Sequence, residues 1–462
     1  MDINKAGMDP VKITPQIAKP SEVPQKEETE ALSPYRLTPD HFKWNTRDLT
    51  PEGKLPVIIQ ADCNDSLNKC RDIVVKNSVG KVTGNLKLLQ GVTAEVDPKS
   101  LMSLFQSIPK DARVFIDGRV TLPQPIVDQP DTPKDGGSVD AKLNVAMPTV
   151  GVDKLWDKGY TGKGVGIAVI DTGVYPHKDF VDPATGQSRI IAFKDFVNNK
   201  KTPYDDQGHG THVSGIAAGN GAASAGKYKG AAPDANIIGV KVLDKNGSGR
   251  FSDVINGIQW AVQNKDKYNI KVINMSLGGS VSETYKNDPV DQAIEKAVSA
   301  GITPVIAAGN EGPDAETIGS PGNDPEVVTV GALDDKGTLN KADDDVAKFS
   351  SRGPTPVDGL TKPDVLFPGV NITAPLSPGS SLDEPSIPHV GKDYITISGT
   401  SMATPGTAGT VADLLQANPK LTPQQVKDIL MSSADKLKNY DANTEGAGIV
   451  DAPKALDKAL SA

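Results

Sequence analysis

The sequence predicts an α/β protein: a parallel sheet flanked by helices, preceded by a small α+β domain of split βαβ order. Three observations carry this. From about Ala146 onward, apolar runs alternate with helical stretches of roughly 10–15 residues, the pattern of parallel βαβ units. Residues 55–122 show strand and helix signals on a smaller scale. Between the two, 123–145 is dominated by Pro, Asp and Gly and reads as an exposed linker. At 462 residues the chain exceeds one ordinary domain, so a small domain plus a large one is the expected division.

Taken in order, residues 1–54 are rich in Pro, Lys and Glu without apolar periodicity and read as a flexible leader. Pro56–Ala61 is a strand and Asp65–Lys76 a helix. Leu86–Val96 alternates well enough for one or two strands, and Pro98–Ser107 is a short helix with Pro at its start. Arg113–Leu122 closes this domain as a strand, giving β-α-β-β-α-β. In the large domain, 146–462, strands are expected at Gly166–Ile170, Asn236–Val242, Val272–Met275, Thr303–Ala308 and Val327–Val330. Helices are expected from near His209 and over Ser252–Lys265, Pro289–Ala300, Thr404–Ala417 and Pro423–Ala434.

Sites in such sheets form at the carboxyl ends of strands, and polar residues collect there. In VGIAVIDTGV, Asp171 follows an apolar strand directly. In DDQGHGTHVSGIAAG, His209 stands between Gly208 and Gly210, which let backbone approach its ring. His212 lies three residues on, but the zinc-protease helix spaces its histidines four apart around a Glu. Zinc is therefore not expected, and His212 reads as structural. In SGTSMATP, Pro405 is tolerated only in a first helical turn, which places a helix start near Ser401–Thr404. Ser401 then sits where a backbone N–H has no helical partner and the dipole is positive. Alone, it is as good an N-cap as a nucleophile. Ser398, Thr400 and Thr404 read as loop and cap hydroxyls. In TPVIAAGNEGP, Asn310 follows a strand and could donate to an oxyanion from the opposite side.

Together these give Asp, His and Ser in chain order plus an amide donor. IDTGV, GHGTHVSG, AAGNEGP and SGTSMATP closely resemble the four signatures of the subtilisin-like serine proteases. The similarity runs from about Gly151 to Asp451 and includes KVLDKNGSG, NMSLGG, FSSRGPT and GAGIVDAPKAL. The texture is most similar to the AprX-like bacterial branch, many of whose members lack a signal peptide. The resemblance implies a serine endopeptidase with Asp171, His209 and Ser401 as triad and Asn310 in the oxyanion site. It implies that Gly247, Ser248 and Gly249, with Ser276, Leu277 and Gly278, flank an extended substrate. Glu311 and Gly319 would border the first specificity pocket, giving broad specificity favouring large residues. The small domain would be a propeptide that assists folding and inhibits the site, first cut between about Leu122 and Ala146. No cofactor is implied for catalysis. Structural calcium is common in the family, and Asp179 aligns with a ligand position, although its loop is one residue shorter.

The competing class is a catalytically silent scaffold on the same fold, disfavoured by the complete set of catalytic residues. A narrower processing protease would need more acidic residues in the pocket wall than Glu311. A formal charge of −9 disfavours nucleic acid as partner. No apolar run has the length of a membrane span. Protein and peptide substrates, with a monomeric enzyme, are the expectation. MDINKAGMDPVKITPQIAKP lacks the apolar core of a signal peptide. The chain is therefore expected in the cytoplasm or exported non-classically, or extracellular if a leader has been removed. Cys63 and Cys70, if on one helix, lie about 10 Å apart, beyond disulfide reach, and are expected as two free thiols.

Overall fold

Burial of β1 (Leu55–Ala61) shows how the small domain is used. All seven residues are buried, on two opposite faces. Val57 and Ile59 pack with Val74 and Leu104 in the domain's own core. Ile58 points the other way, into a cluster shared with the large domain. The computed structural model describes residues 48–61, 66–108, 112–122, 126–127, 143–437 and 439–462, all in one compact unit. The leader up to residue 47 and most of the 123–145 linker lie outside the described residues.

After β1 come α1 (Ser66–Lys76), β2 (Gly80–Leu86), β3 (Gly91–Val96), α2 (Leu101–Ser107) and β4 (Ala112–Ile116). The sheet is antiparallel with order β2-β3-β1-β4, the expected split βαβ arrangement. Two boundaries differ from the sequence reading. β2 starts at Gly80, because its GKVTGN segment is half-exposed and carries little apolar signal. The closing strand divides at Asp117-Gly118: β4 pairs within the small sheet, while β5 (Arg119–Thr121) pairs with the large domain. Cys63 lies outside the described residues, and Cys70 is buried on α1.

The large domain runs α3 (Leu143–Thr149), α4 (Asp153–Asp157), β6 (Gly166–Asp171), β7 (Ile190–Asp195), α5 (His209–Ala218), β8 (Asn236–Lys241) and β9 (Ser248–Arg250). It continues with α6 (Phe251–Gln263), α7 (Lys265–Tyr268), β10 (Ile270–Met275), α8 (Pro289–Ser299), β11 (Thr303–Ala307) and β12 (Val328–Asp334). β13 (Asp345–Val346), β14 (Val365–Pro368), β15 (Ile372–Pro375), β16 (His389–Val390), β17 (Tyr394–Ile397), α9 (Thr400–Ala417), α10 (Pro423–Ser433), α11 (Ala442–Glu445) and α12 (Ala452–Ser461) follow.

The main sheet has order β13-β12-β11-β10-β6-β8-β7, with β14 beside β12. Every pair is parallel except β12 with β13. α5 and α9 cover one face through Val213, Ile216 and Val411. α6 and α8 cover the other through Ile255, Ile258 and Ile294. The small sheet lies on α6 and α8. Leu88 N donates to Gln259 Oε1 at 2.8 Å, and Gln60 Nε2 to Gln292 Oε1 at 3.0 Å. Asp117 accepts from Ser252 N at 2.9 Å and Ser252 Oγ at 2.7 Å, capping the first turn of α6 from outside.

Candidate active site

The carboxyl end of β6 delivers Asp171 into the protein interior, where it is wholly buried. A bare buried carboxylate is costly, and here it is paired. Asp171 Oδ1 accepts from Thr172 N at 2.7 Å, and His209 Nδ1 lies 2.9 and 3.0 Å from the two carboxylate oxygens. His209 opens α5, and the Cβ that Gly210 lacks would fall 2.2 Å from Gly173 O. That missing atom lets the helix start press against the β6 exit.

Asp205, four residues before His209, holds the same turn. Its Oδ1 accepts from Gly208 N at 2.8 Å, and its Oδ2 from Thr211 N at 2.9 Å and Thr211 Oγ1 at 2.7 Å. Lys241, fully buried at the end of β8, donates to Thr172 O at 2.5 Å, Leu243 O at 2.7 Å and Asp206 Oδ1 at 2.7 Å. One ammonium thus joins the Asp171 strand end, the His209 loop and the approach to β9. Neither group stood out in the sequence. The DDQ preceding GHG is the signal for Asp205, since Asp before a helix start is a capping pattern.

Ser401 is the second residue of α9, which packs beside α5. Here the expectation from Pro405 is corrected. The helix begins at Thr400, so Pro405 lies inside it. Proline has no N–H to give to the carbonyl four residues back, and that carbonyl belongs to Ser401. Ser276 Oγ donates to it instead, at 3.1 Å, and Ser276 O accepts from Ser401 Oγ at 3.1 Å. The proline is tolerated because a neighbouring strand end supplies the missing donor. Rotation about χ1 would redirect the Ser401 hydroxyl from Ser276.

Asn310 lies three residues beyond β11. Its Oδ1 accepts from Thr400 N at 2.9 Å and Thr400 Oγ1 at 2.8 Å, which commits its Nδ2 to the other side. A Cβ on Gly399 would sit 3.2 Å from Asn310 Nδ2 and 3.6 Å from Ser401 N. Asn310 Nδ2 and Ser401 N thus both border the space beside Gly399. Thr400 was read as a loop hydroxyl; it orients the Asn310 amide.

A cavity of about 540 Å³ opens beside Ser401 and Asn310. Ser276, Leu277, Gly278, Glu311 and Gly319 all line it. At Gly319 a Cβ would meet Gly279 O at 3.0 Å, so the missing side chain keeps that wall back. Glu311 is exposed, but its Oε2 already accepts from Asn310 N at 3.0 Å and Ser351 Oγ at 3.2 Å. Gly247, Ser248 and Gly249 form the facing edge, and β5 occupies it. Val120 pairs with Gly249, Thr121 with Ser248, and Leu122 N donates to Gly247 O at 2.8 Å. Beyond it, Ser398 N donates to Ile126 O at 3.0 Å.

His212 is fully buried. Its Nε2 lies 3.2 Å from Ile372 O and 3.3 Å from Ile395 O, so it ties two strands of the β15–β17 sheet to α5. Burial, reinforced by His209, pushes its pKa down to about 3, keeping it neutral. Among the described residues no three His, Cys, Asp or Glu side chains are grouped to hold a metal.

Asp179 does not fit calcium. Its Oδ1 accepts from Ala223 N and its Oδ2 from Tyr394 Oη, both at 2.8 Å. The buried Arg189 guanidinium takes its main-chain oxygen at 2.6 Å. Calcium needs six to eight oxygen ligands, and the groups around this carboxylate are donors.

Residues 162–448 match the model of the subtilase family, Peptidase S8. The chain is 42% identical over 435 residues to serine protease AprX of Bacillus subtilis, covering 92% of each. It is 39% identical over 289 residues to subtilisin E of the same species, 62% of this chain and 64% of that one. Among solved structures it is similar to fervidolysin from Fervidobacterium pennivorans, a keratinolytic enzyme related to subtilisin. That likeness has a TM-score of 0.65 and 26% identity, over 87% of this chain and 61% of that one.

Proposed function

The chain belongs to the subtilase family of serine proteases, and we propose that it is a self-processing endopeptidase working through Asp171, His209 and Ser401. The observation that carries this reading is the contact of His209 Nδ1 with both oxygens of buried Asp171. That contact fixes the imidazole with Nδ1 protonated and Nε2 free to accept a proton. His209 takes the Ser401 proton as Oγ attacks a peptide carbonyl. Asn310 Nδ2 and Ser401 N hold the oxyanion. His209 protonates the leaving amine, and water then releases the acyl group. None of these steps asks for a cofactor.

Two measurements test the assignment. Asn310→Ala should lower kcat about 10²–10³-fold, the size established for such a donor in subtilisin-type enzymes, with KM little changed. A loss of under threefold would remove Asn310 from the oxyanion site. Imidazolium cannot accept the Ser401 proton, so kcat/KM should rise with pH to a neutral-to-alkaline plateau. An acid optimum would contradict His209 as base.

We further propose that residues 55–122 are an inhibitory propeptide. β5 adds to β9 along the edge a substrate strand would use. Leu122 and Ile126 are bound on either side of the site, so we place the first cut between them. The Gly319 wall and the cavity volume support large side chains before the cut bond. Glu311 adds one acidic group at the rim, which suits broad specificity better than a dedicated processing enzyme. Substrates are proteins and peptides, and a monomer with no nucleic-acid or membrane partner suffices for this chemistry. We propose a cytoplasmic or non-classically exported enzyme, or an extracellular one if a leader has been removed.

A further inference from the structure

The cavity beside Ser401 has a wall that lies outside the main sheet. Val281 and Pro356 line it together with Thr317 and Gly319. Val281 belongs to the loop between β10 and α8, and Pro356 to the loop between β13 and β14. These loops are far apart in sequence and are tied by one side chain. Asp358 Oδ1 accepts from Thr284 Oγ1 at 2.6 Å, and its Oδ2 from Tyr285 N at 3.0 Å.

The tie is built deliberately into the backbone. Thr355 N donates to Leu360 O at 2.7 Å, Asp358 N to Pro356 O at 2.8 Å, and Gly359 N to Thr355 O at 3.0 Å. Between Pro356 and Asp358 stands Val357, 66% exposed and at φ 68°. A β-branched residue in the left-handed region is a real outlier. Its side chain packs on little, so packing does not explain the strain. What the reversed turn achieves is to let Pro356 face the cavity while Asp358 reaches Thr284.

We propose that Asp358 determines specificity: by clasping the 281–285 loop to the 353–360 loop, it holds the far wall of the pocket that receives the side chain before the cut bond. This rests on the cavity being that pocket. A large substrate side chain would reach the wall formed by Val281 and Pro356, and a small one would not. A pocket contact of methylene size is worth roughly 10–200-fold in kcat/KM, so the clasp should act on the ratio between substrates.

The test uses the full-length chain left to complete its own processing, and peptide p-nitroanilides differing only in Phe, Leu or Ala before the cut bond. Asp358→Ala should lower kcat/KM for Phe and Leu about tenfold and leave Ala within twofold. Thr284→Val removes one donor from the other side and should shift the same ratio in the same direction. The double variant should be no worse than Asp358→Ala alone, because both remove one clasp. Val357→Gly keeps the clasp in a residue suited to positive φ and should leave the ratio unchanged. Equal losses on all three substrates, or additive effects in the double variant, would overturn the proposal. Ser401→Ala and a serine-directed inhibitor run in parallel: if hydrolysis survives either, the protease assignment fails and not the clasp alone.

Discussion

Purified Ser401→Ala protein should remain at its full 48.5 kDa, while the wild type should shed an N-terminal fragment ending between Leu122 and Ile126. Intact mass read over a time course distinguishes the two. Removing the nucleophile of subtilisin costs about 10⁶ in kcat, so no processing should be seen in the variant on any practical timescale. The variant should still fold. The substitution deletes one hydrogen bond, from Ser401 Oγ to Ser276 O, worth about 0.5–1.5 kcal/mol. The Ser276 Oγ contact to Ser401 O, which supports the proline-bearing turn, is untouched. Identical processing of both purified proteins would show that Ser401 does not make the cut. A cut mapped beyond Ile126 would show that the two anchored residues do not bracket the bond.

Asp171→Asn should be nearly as severe, with kcat down roughly 10⁴-fold and KM within a few fold. The reason is the tautomer. The Asp171 carboxylate accepts from His209 Nδ1 and from Thr172 N. An asparagine keeps the Thr172 contact through its oxygen and turns an N–H toward the imidazole. His209 then accepts at Nδ1 and carries its proton at Nε2, where the Ser401 proton has to go. The geometry survives while the base is switched off. Folding should be preserved, as the exchange is isosteric and removes a buried charge. Steady-state kinetics on one chromogenic peptide decide it. A loss under tenfold would mean that the contact orients nothing catalytic.

Much of this could be read from residues alone. β6, β8, β10 and β11 are mostly apolar and almost wholly buried, a texture that sequence reading detects well. Asp171 announces itself by ending β6 and Asn310 by closely following β11, while His209 and Ser401 stand out in the first turns of α5 and α9. β7 escaped notice because it is an edge strand, with its inner positions partly exposed. β14 and β15 are four residues each, too short for a pattern. Pro405 misled for a definite reason: a local rule assumed that nothing outside the helix could satisfy the Ser401 carbonyl, and Ser276, more than a hundred residues earlier in the chain, does so. Thr400, Lys241 and Asp358 were invisible for the same reason. Each acts through partners that only the fold brings within 3 Å. Asp179 shows the converse, where an alignment position suggested a cation and the surroundings supply hydrogen-bond donors.

The pairing of β5 with β9 also has a kinetic side. On the proposed propeptide reading, that strand would compete with substrates, while chain connectivity lasts, at the effective concentration of a tethered ligand, of millimolar order for a short linker. One cut near Leu122 would turn the competitor into a separate molecule, whose occupancy then follows its bulk concentration. The freshly cut protein should therefore hold itself in check in a concentrated stock and wake on dilution. Removal of the small domain by a second cut would make that awakening permanent.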